Sequence, residues 1–215
     1  MNKNFRELLY DLRETGFNAF GLPLILVLYI CSAFFIHRSL AGNDYITLAL
    51  LELIVPFSCG YVAIMLMQGI YDTDGCEIVF SYPRSTFYWG VYRQLRFFLA
   101  FSIIIVLVCC CISKIMCVSF CYIAILTLLQ SIAVVAISFL GITLAKSVGV
   151  GIVILLSFVG IQITLGREFQ IFNLLFVLDG EVPTKNQIIT IGIRSIVMTA
   201  ISFPLAYLWT ESAEG

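Results

Sequence analysis

The chain has 215 residues, of which 61% are apolar and only 12% charged, with a mean hydropathy of +1.04. A soluble domain of this size has too much surface to hide that much hydrocarbon, which excludes a soluble enzyme, a nucleic-acid-binding module and a disordered chain. The net charge of −1 supplies no basic field for nucleic acid, so the class that fits is an all-α membrane protein with several spans.

Residues 3–14 place Phe5, Leu8, Leu9 and Leu12 at i, i+3, i+4 and i+7, with Lys3, Arg6, Glu7, Arg13 and Glu14 on the other side. That pattern predicts an amphipathic helix lying in the headgroup plane, within an interfacial segment 1–16 that ends at Gly16. Charge runs to Glu14 and no small-residue cleavage site follows, so the first apolar stretch is expected to stay as a span and not to act as a signal peptide.

Six spans are expected within residues 17–209. The first runs over 17–36 with Pro23 inside. The second covers 45–70 with Pro56 inside, and the third covers 95–112 before a tight turn at Ser113 and Lys114. The fourth, 117–144, is longer than a bilayer needs, which implies tilt. The fifth follows Lys146 and Ser147 and covers 150–165, and the sixth covers 188–209 with Pro204 near its end. Between the last two, Phe169 to Leu178 is apolar but too short to cross, and Asp179-Gly180-Glu181-Val182-Pro183 reads as a turn. Residues 167–187 are therefore expected to form a short outer re-entrant segment. Residues 210–215 are an acidic tail.

Orientation follows from the basic residues near span ends. Lys3, Arg6, Arg13, Arg84, Arg93, Arg96 and Lys146 fall on one side, and Arg38, Lys114, Arg167 and Lys185 on the other. That bias places both termini in the cytoplasm and the protein in the cell membrane as a multi-pass chain.

Catalytic constellations are missing from the sequence. His37 is alone, no nucleophile–base set occurs, and no enzyme is expected. Of the eight cysteines, only Cys76 sits in a polar stretch. None pairs at metal spacing, so they read as packing residues and no metal site is expected. Gly141-Ile142-Thr143-Leu144-Ala145-Lys146-Ser147 echoes a nucleotide-binding loop but lacks the second Gly and ends a hydrophobic span.

Two charges fall inside spans. Glu52 and Arg194 lie about 10 Å deep in the same leaflet at 1.5 Å per residue. Matched depth and opposite sign suggest an ion pair, either structural or part of a substrate path or gate. Gln68, Gln130 and Gln162 are the other large polar residues in spans. They suit interhelical hydrogen bonds, and Gln130 near mid-membrane is the best placed to line a pathway.

The cytoplasmic stretch 71–94 is the most informative. Asp72, Asp74 and Glu77 lead into an apolar turn of Ile78, Val79 and Phe80, which Pro83 stops before an aromatic-rich approach to the third span. Exposed apolar residues with acidic flanks read either as a docking knob or as an interfacial aromatic belt.

In this stretch the chain resembles the permease subunits of type-2 ATP-binding-cassette (ABC) exporters. These have six spans, an N-terminal interfacial helix and a short coupling helix between the second and third spans. The matching residues are Asp74, Gly75, Glu77, Ile78, Val79, Phe80, Ser81, Pro83 and Arg84, with Cys76 standing where Thr is commoner. The resemblance implies a coupling helix at about 73–82 that docks on a separate ABC ATPase subunit. It also implies a second permease subunit, as a homo- or heterodimer, and ATP and Mg bound by the partner ATPase, with no cofactor on this chain. The expected function is outward movement of an amphipathic peptide, lipid-like molecule or drug. The alternative is a standalone membrane scaffold or immunity protein.

Overall fold

A computed structural model describes residues 18–39, 44–71, 87–116, 118–165, 173–175 and 184–212. The described residues are helical almost throughout and contain no strand. The helices are α1 (Asn18–Ser39), α2 (Asp44–Met65), the single turn α3 (Gln68–Tyr71), a π-helical turn (Tyr88–Tyr92), α4 (Arg93–Met116), α5 (Phe120–Ala145), α6 (Val148–Leu165) and α7 (Lys185–Ser212). Ile46–Tyr71, Gly90–Ile115, Phe120–Ala145 and Lys185–Thr210 are each 26 residues long and apolar enough to cross a bilayer. Leu24–Phe34 and Val148–Thr164 are shorter apolar stretches. The chain is thus an α-helical membrane protein. The expected interfacial helix at 1–16 and the tail beyond residue 212 lie outside the described residues.

α5 is the central helix and packs against α2, α4, α6 and α7. Side-chain neighbours fix the helix directions. Glu52 meets Gln130, and a Cβ at Gly60 would meet Ser138, so α2 and α5 advance together and run parallel. Gly192 faces Leu129, and Phe203 lies beside Phe139 at 6.0 Å, so α7 is parallel to α5 as well. α6 turns back sharply after Lys146, whose left-handed backbone (φ 51°) closes α5 with its N–H donated to the Ile142 carbonyl. This turn ends the loose nucleotide-loop echo: helix continues through Ala145, leaving no run of free amides there.

The outer surface is apolar. Leu99, Ile103 and Leu107 repeat every four residues on α4, and Ile189, Ile193, Val197 and Ile201 do the same on α7, with Ile196 beside them. Such stripes suit hydrocarbon solvent. α1 is pinned to α2 by the Tyr29 hydroxyl, which donates to the Thr47 carbonyl at 2.7 Å.

Several boundaries differ from the sequence expectation. Ser113 and Lys114 do not form a turn but stay helical through Met116. The Ser113 hydroxyl donates back to the Cys110 carbonyl at 3.0 Å, satisfying itself inside the helix. The expected second span is interrupted at Leu66 and Met67, where the Met67 amide bonds Ile64 three residues back instead of Ala63. α7 starts at Lys185, not 188, because Thr184 caps it: Gln187 Oε1 accepts from both the Thr184 amide (2.7 Å) and hydroxyl (2.6 Å).

Gly60 permits the closest approach in the core. A Cβ there would lie 2.6 Å from Ser138 Oγ, 2.8 Å from Val134 Cγ1 and 3.0 Å from Leu155 Cδ1. Gly160 has nothing within 4 Å. Gly60→Ala is expected to lower stability by about 1–3 kcal/mol through overpacking. Gly160→Ala, with only helix propensity changing, is expected to be neutral or slightly stabilising. Thermal unfolding of the two detergent-solubilised variants side by side checks the contrast.

Candidate functional site

Four of the five polar residues expected inside spans, Glu52, Gln130, Gln162 and Arg194, converge on one level of the bundle. Glu52 is eight residues into α2, Gln130 ten residues into α5 and Arg194 nine residues into α7, or about 12–15 Å along each helix. Gln162 sits near the end of α6, which runs the other way.

Their meeting point is a non-helical piece of chain, Asn173–Leu175. Leu174 is only 1% exposed. Its amide donates to Gln162 Oε1 at 2.9 Å, and its carbonyl accepts from Gln130 Nε2 at 2.6 Å. The same Nε2 donates to Glu52 Oε1 at 2.8 Å. Arg194 donates from its guanidinium to the Asn173 carbonyl at 3.3 Å, and the Asn173 side-chain oxygen accepts from the Leu175 amide at 3.1 Å. Between Glu52 and Arg194 the structure therefore displays a relay through Gln130 and the backbone of Asn173 and Leu174.

Local sequence explains why each group is free to do this. Pro56 has no N–H for the Glu52 carbonyl four residues earlier, so this turn of α2 lacks one helical bond beside the cluster. Gln130 and Glu52 are 0% and 2% exposed. Buried groups of this kind in an apolar bundle are expensive unless hydrogen-bonded. Each glutamine helps offset the desolvation of its neighbours as well as its own.

A second site lies toward the other end of the same helices. The matched residues Asp74 to Arg84 lie outside the described residues, but the chain on both sides of them is described. Before them, the break at Leu66 and Met67 leaves the Ala63 carbonyl without its usual helical donor, and Gln94 Nε2 of α4 donates to it at 2.8 Å. After them, the chain enters α4 through the π turn, where Gly90 lets Phe139 of α5 approach to 2.9 Å from a would-be Cβ. Phe87 meets Tyr207 of α7 edge-on at 6.0 Å, and Arg96 lies over the Tyr92 ring at 5.6 Å. Residues 87–94 thus touch α2, α5 and α7 together. Arg93, which sequence reading counted among the basic flanks, is 2% exposed and so packs into the bundle.

Gln94, Asn173 and the backbone of Leu174 carry no role in the sequence reading. Gln94 could have been found as an amide at the mouth of an apolar span; backbone groups leave no such mark. Gln68 is exposed, outside both clusters. Among the described residues there is no metal-binding group of side chains, and the described cysteines are free thiols. Comparison with protein-family models, curated proteins and solved structures finds no match for the chain.

Gln130 is the hub, so Gln130→Leu strips the donor from two acceptors at once and is expected to cost about 2–4 kcal/mol. Glu52→Gln combined with Gln130→Leu should cost less than the sum of the single changes, with a coupling of about 0.5–3 kcal/mol. Unfolding of the four proteins in mixed micelles measures it; additive losses would show that the two side chains are independent.

Proposed function

We propose that the chain is the membrane permease subunit of an ABC exporter, a six-span domain with an outer re-entrant segment around Asn173–Leu175. It moves an amphipathic substrate outward with ATP hydrolysed by a separate partner subunit. Residues 73–82 form the coupling helix. Asp74, Gly75, Glu77, Ile78, Val79, Phe80, Ser81, Pro83 and Arg84 are its coupling residues, with Asp74, Glu77, Ile78, Val79 and Phe80 meeting the ATPase.

The observation that carries this reading is the packing of residues 87–94. The chain leaves the coupling stretch and at once engages α2 through Gln94, α5 through Gly90 and α7 through Phe87. A displacement of the coupling stretch would be passed to three helices together. Those helices carry Glu52, Gln130 and Arg194 some way along their length, which supports a lever joining an ATPase-facing end to a polar gate. The π turn and the broken end of α2 bracket the stretch and supply give on both sides.

The test is expression of the tagged chain in its native cell, followed by gentle solubilisation and identification of any co-purifying ABC ATPase. The two should co-purify, and Glu77→Lys should reduce both the association and outward transport about tenfold or more, by reversing a charge at the contact. Absence of an ATPase from the purified wild type, or full transport by Glu77→Lys, would sink the reading.

A further inference from the structure

We infer that Gln130, Gln162 and Arg194 form a recognition site for the backbone of an extended apolar peptide, occupied in this structure by the chain's own Asn173–Leu175. The inference rests on the permease reading for its purpose and names that permease's substrate class.

Leu174 is held as a bound peptide residue would be. Its N–H is accepted by one glutamine, its C=O receives a donor from another, and its side chain is buried. Nothing in those contacts depends on Leu174 beyond an aliphatic side chain, because the two hydrogen-bonded groups belong to almost every peptide unit. The two groups that hold Leu174 sit on α5 and α6, regular helices joined by a tight turn, and the Asn173 carbonyl is met from α7, so the holding side chains all lie on helices outside the segment they hold. It offers from side chains the donor–acceptor pair that a sheet edge offers to an added strand.

The cluster also has capacity that its present occupant leaves unused. Gln130 Oε1 is fully buried and has no hydrogen-bond partner among the described residues. An acceptor abandoned in a dry interior is costly, and one more N–H would satisfy it. Arg194 reaches a neutral carbonyl at 3.3 Å, longer than a charge-assisted bond to an anion. The bonds to Glu52 and Leu174 use the Gln130 side-chain nitrogen and leave its buried oxygen available to a further N–H.

The experiment uses the purified chain in phosphatidylcholine nanodiscs, without an ATPase. The probe is a capped trileucine peptide carrying an environment-sensitive dye, compared with the same peptide N-methylated at its central leucine. N-methylation removes one N–H and keeps the peptide apolar. The parent peptide should bind saturably and the methylated one about tenfold more weakly, the loss of a buried hydrogen bond. Gln130→Leu and Gln162→Leu should each weaken the parent peptide to a similar degree, and Leu174→Gly, which loosens the internal occupant, should tighten it. Equal binding of the two peptides to the wild type, or non-saturable uptake of both, would overturn the inference even if a glutamine variant failed to fold. Peptide binding without a co-purifying ATPase would keep the site and remove the permease reading. ATP-driven transport by a chain that ignores the peptide would do the reverse.

Discussion

Inside hydrocarbon no water is present to satisfy a backbone amide or carbonyl, and this constraint organises the chain. The long helices among the described residues meet it internally. Asn173–Leu175 cannot, because it is not helical, and the bundle supplies side-chain partners from three helices to take its place. Gln130 bonds the Leu174 carbonyl and Gln162 its amide, while Arg194 takes the carbonyl of Asn173. Glu52 then steadies Gln130 from α2. Much of the buried polarity of the bundle is explained by three residues of irregular backbone, whose amides and carbonyls need partners once protein surrounds them.

The helices were readable because their signal is long and redundant: a run of some twenty apolar residues tolerates many substitutions and still declares itself. Glu52 and Arg194 were readable as partners in depth because helix rise converts residue number into height. Sequence reading took them as a pair, whereas the structure places Gln130 and a strip of backbone in the relay between them. Residue letters do not reveal backbone, since every position carries the same amide, so Leu174 could not have been picked from its neighbours. The misplaced turn at Ser113 and Lys114 has a related cause. Serine bonds its own helix and Lys114 is exposed in the last turn, so the two polar letters carry no breaking force.

The irregular features fall at two levels of the bundle. At one level, Pro56 and Asn173–Leu175 interrupt regular bonding around the glutamines. At the other, α2 breaks at Leu66 and Met67, and α4 begins from a π turn. Between these levels α2 and α5 run parallel and close, with Gly60 against Ser138 and Val134, leaving little freedom to slide. A stiff pair of rods with compliant ends transmits rotation better than a uniformly soft bundle, because packed interiors resist compression.

The tight turn at Lys146 bears on how the protein is made. It joins α5 to α6 through two residues, Lys146 and Ser147, so these helices form a tight helical hairpin. Gln130 and Gln162 belong to that hairpin. Synthesis proceeds from the N-terminus, so both halves of the clamp emerge from the ribosome before Leu174 does. The polar cost of inserting two glutamines falls on a hairpin whose partners are not yet present, apart from Glu52 in the earlier α2. Glu52 also precedes Leu174 in the chain, so all the side chains of the Glu52–Gln130–Gln162 set are synthesised before the backbone they surround.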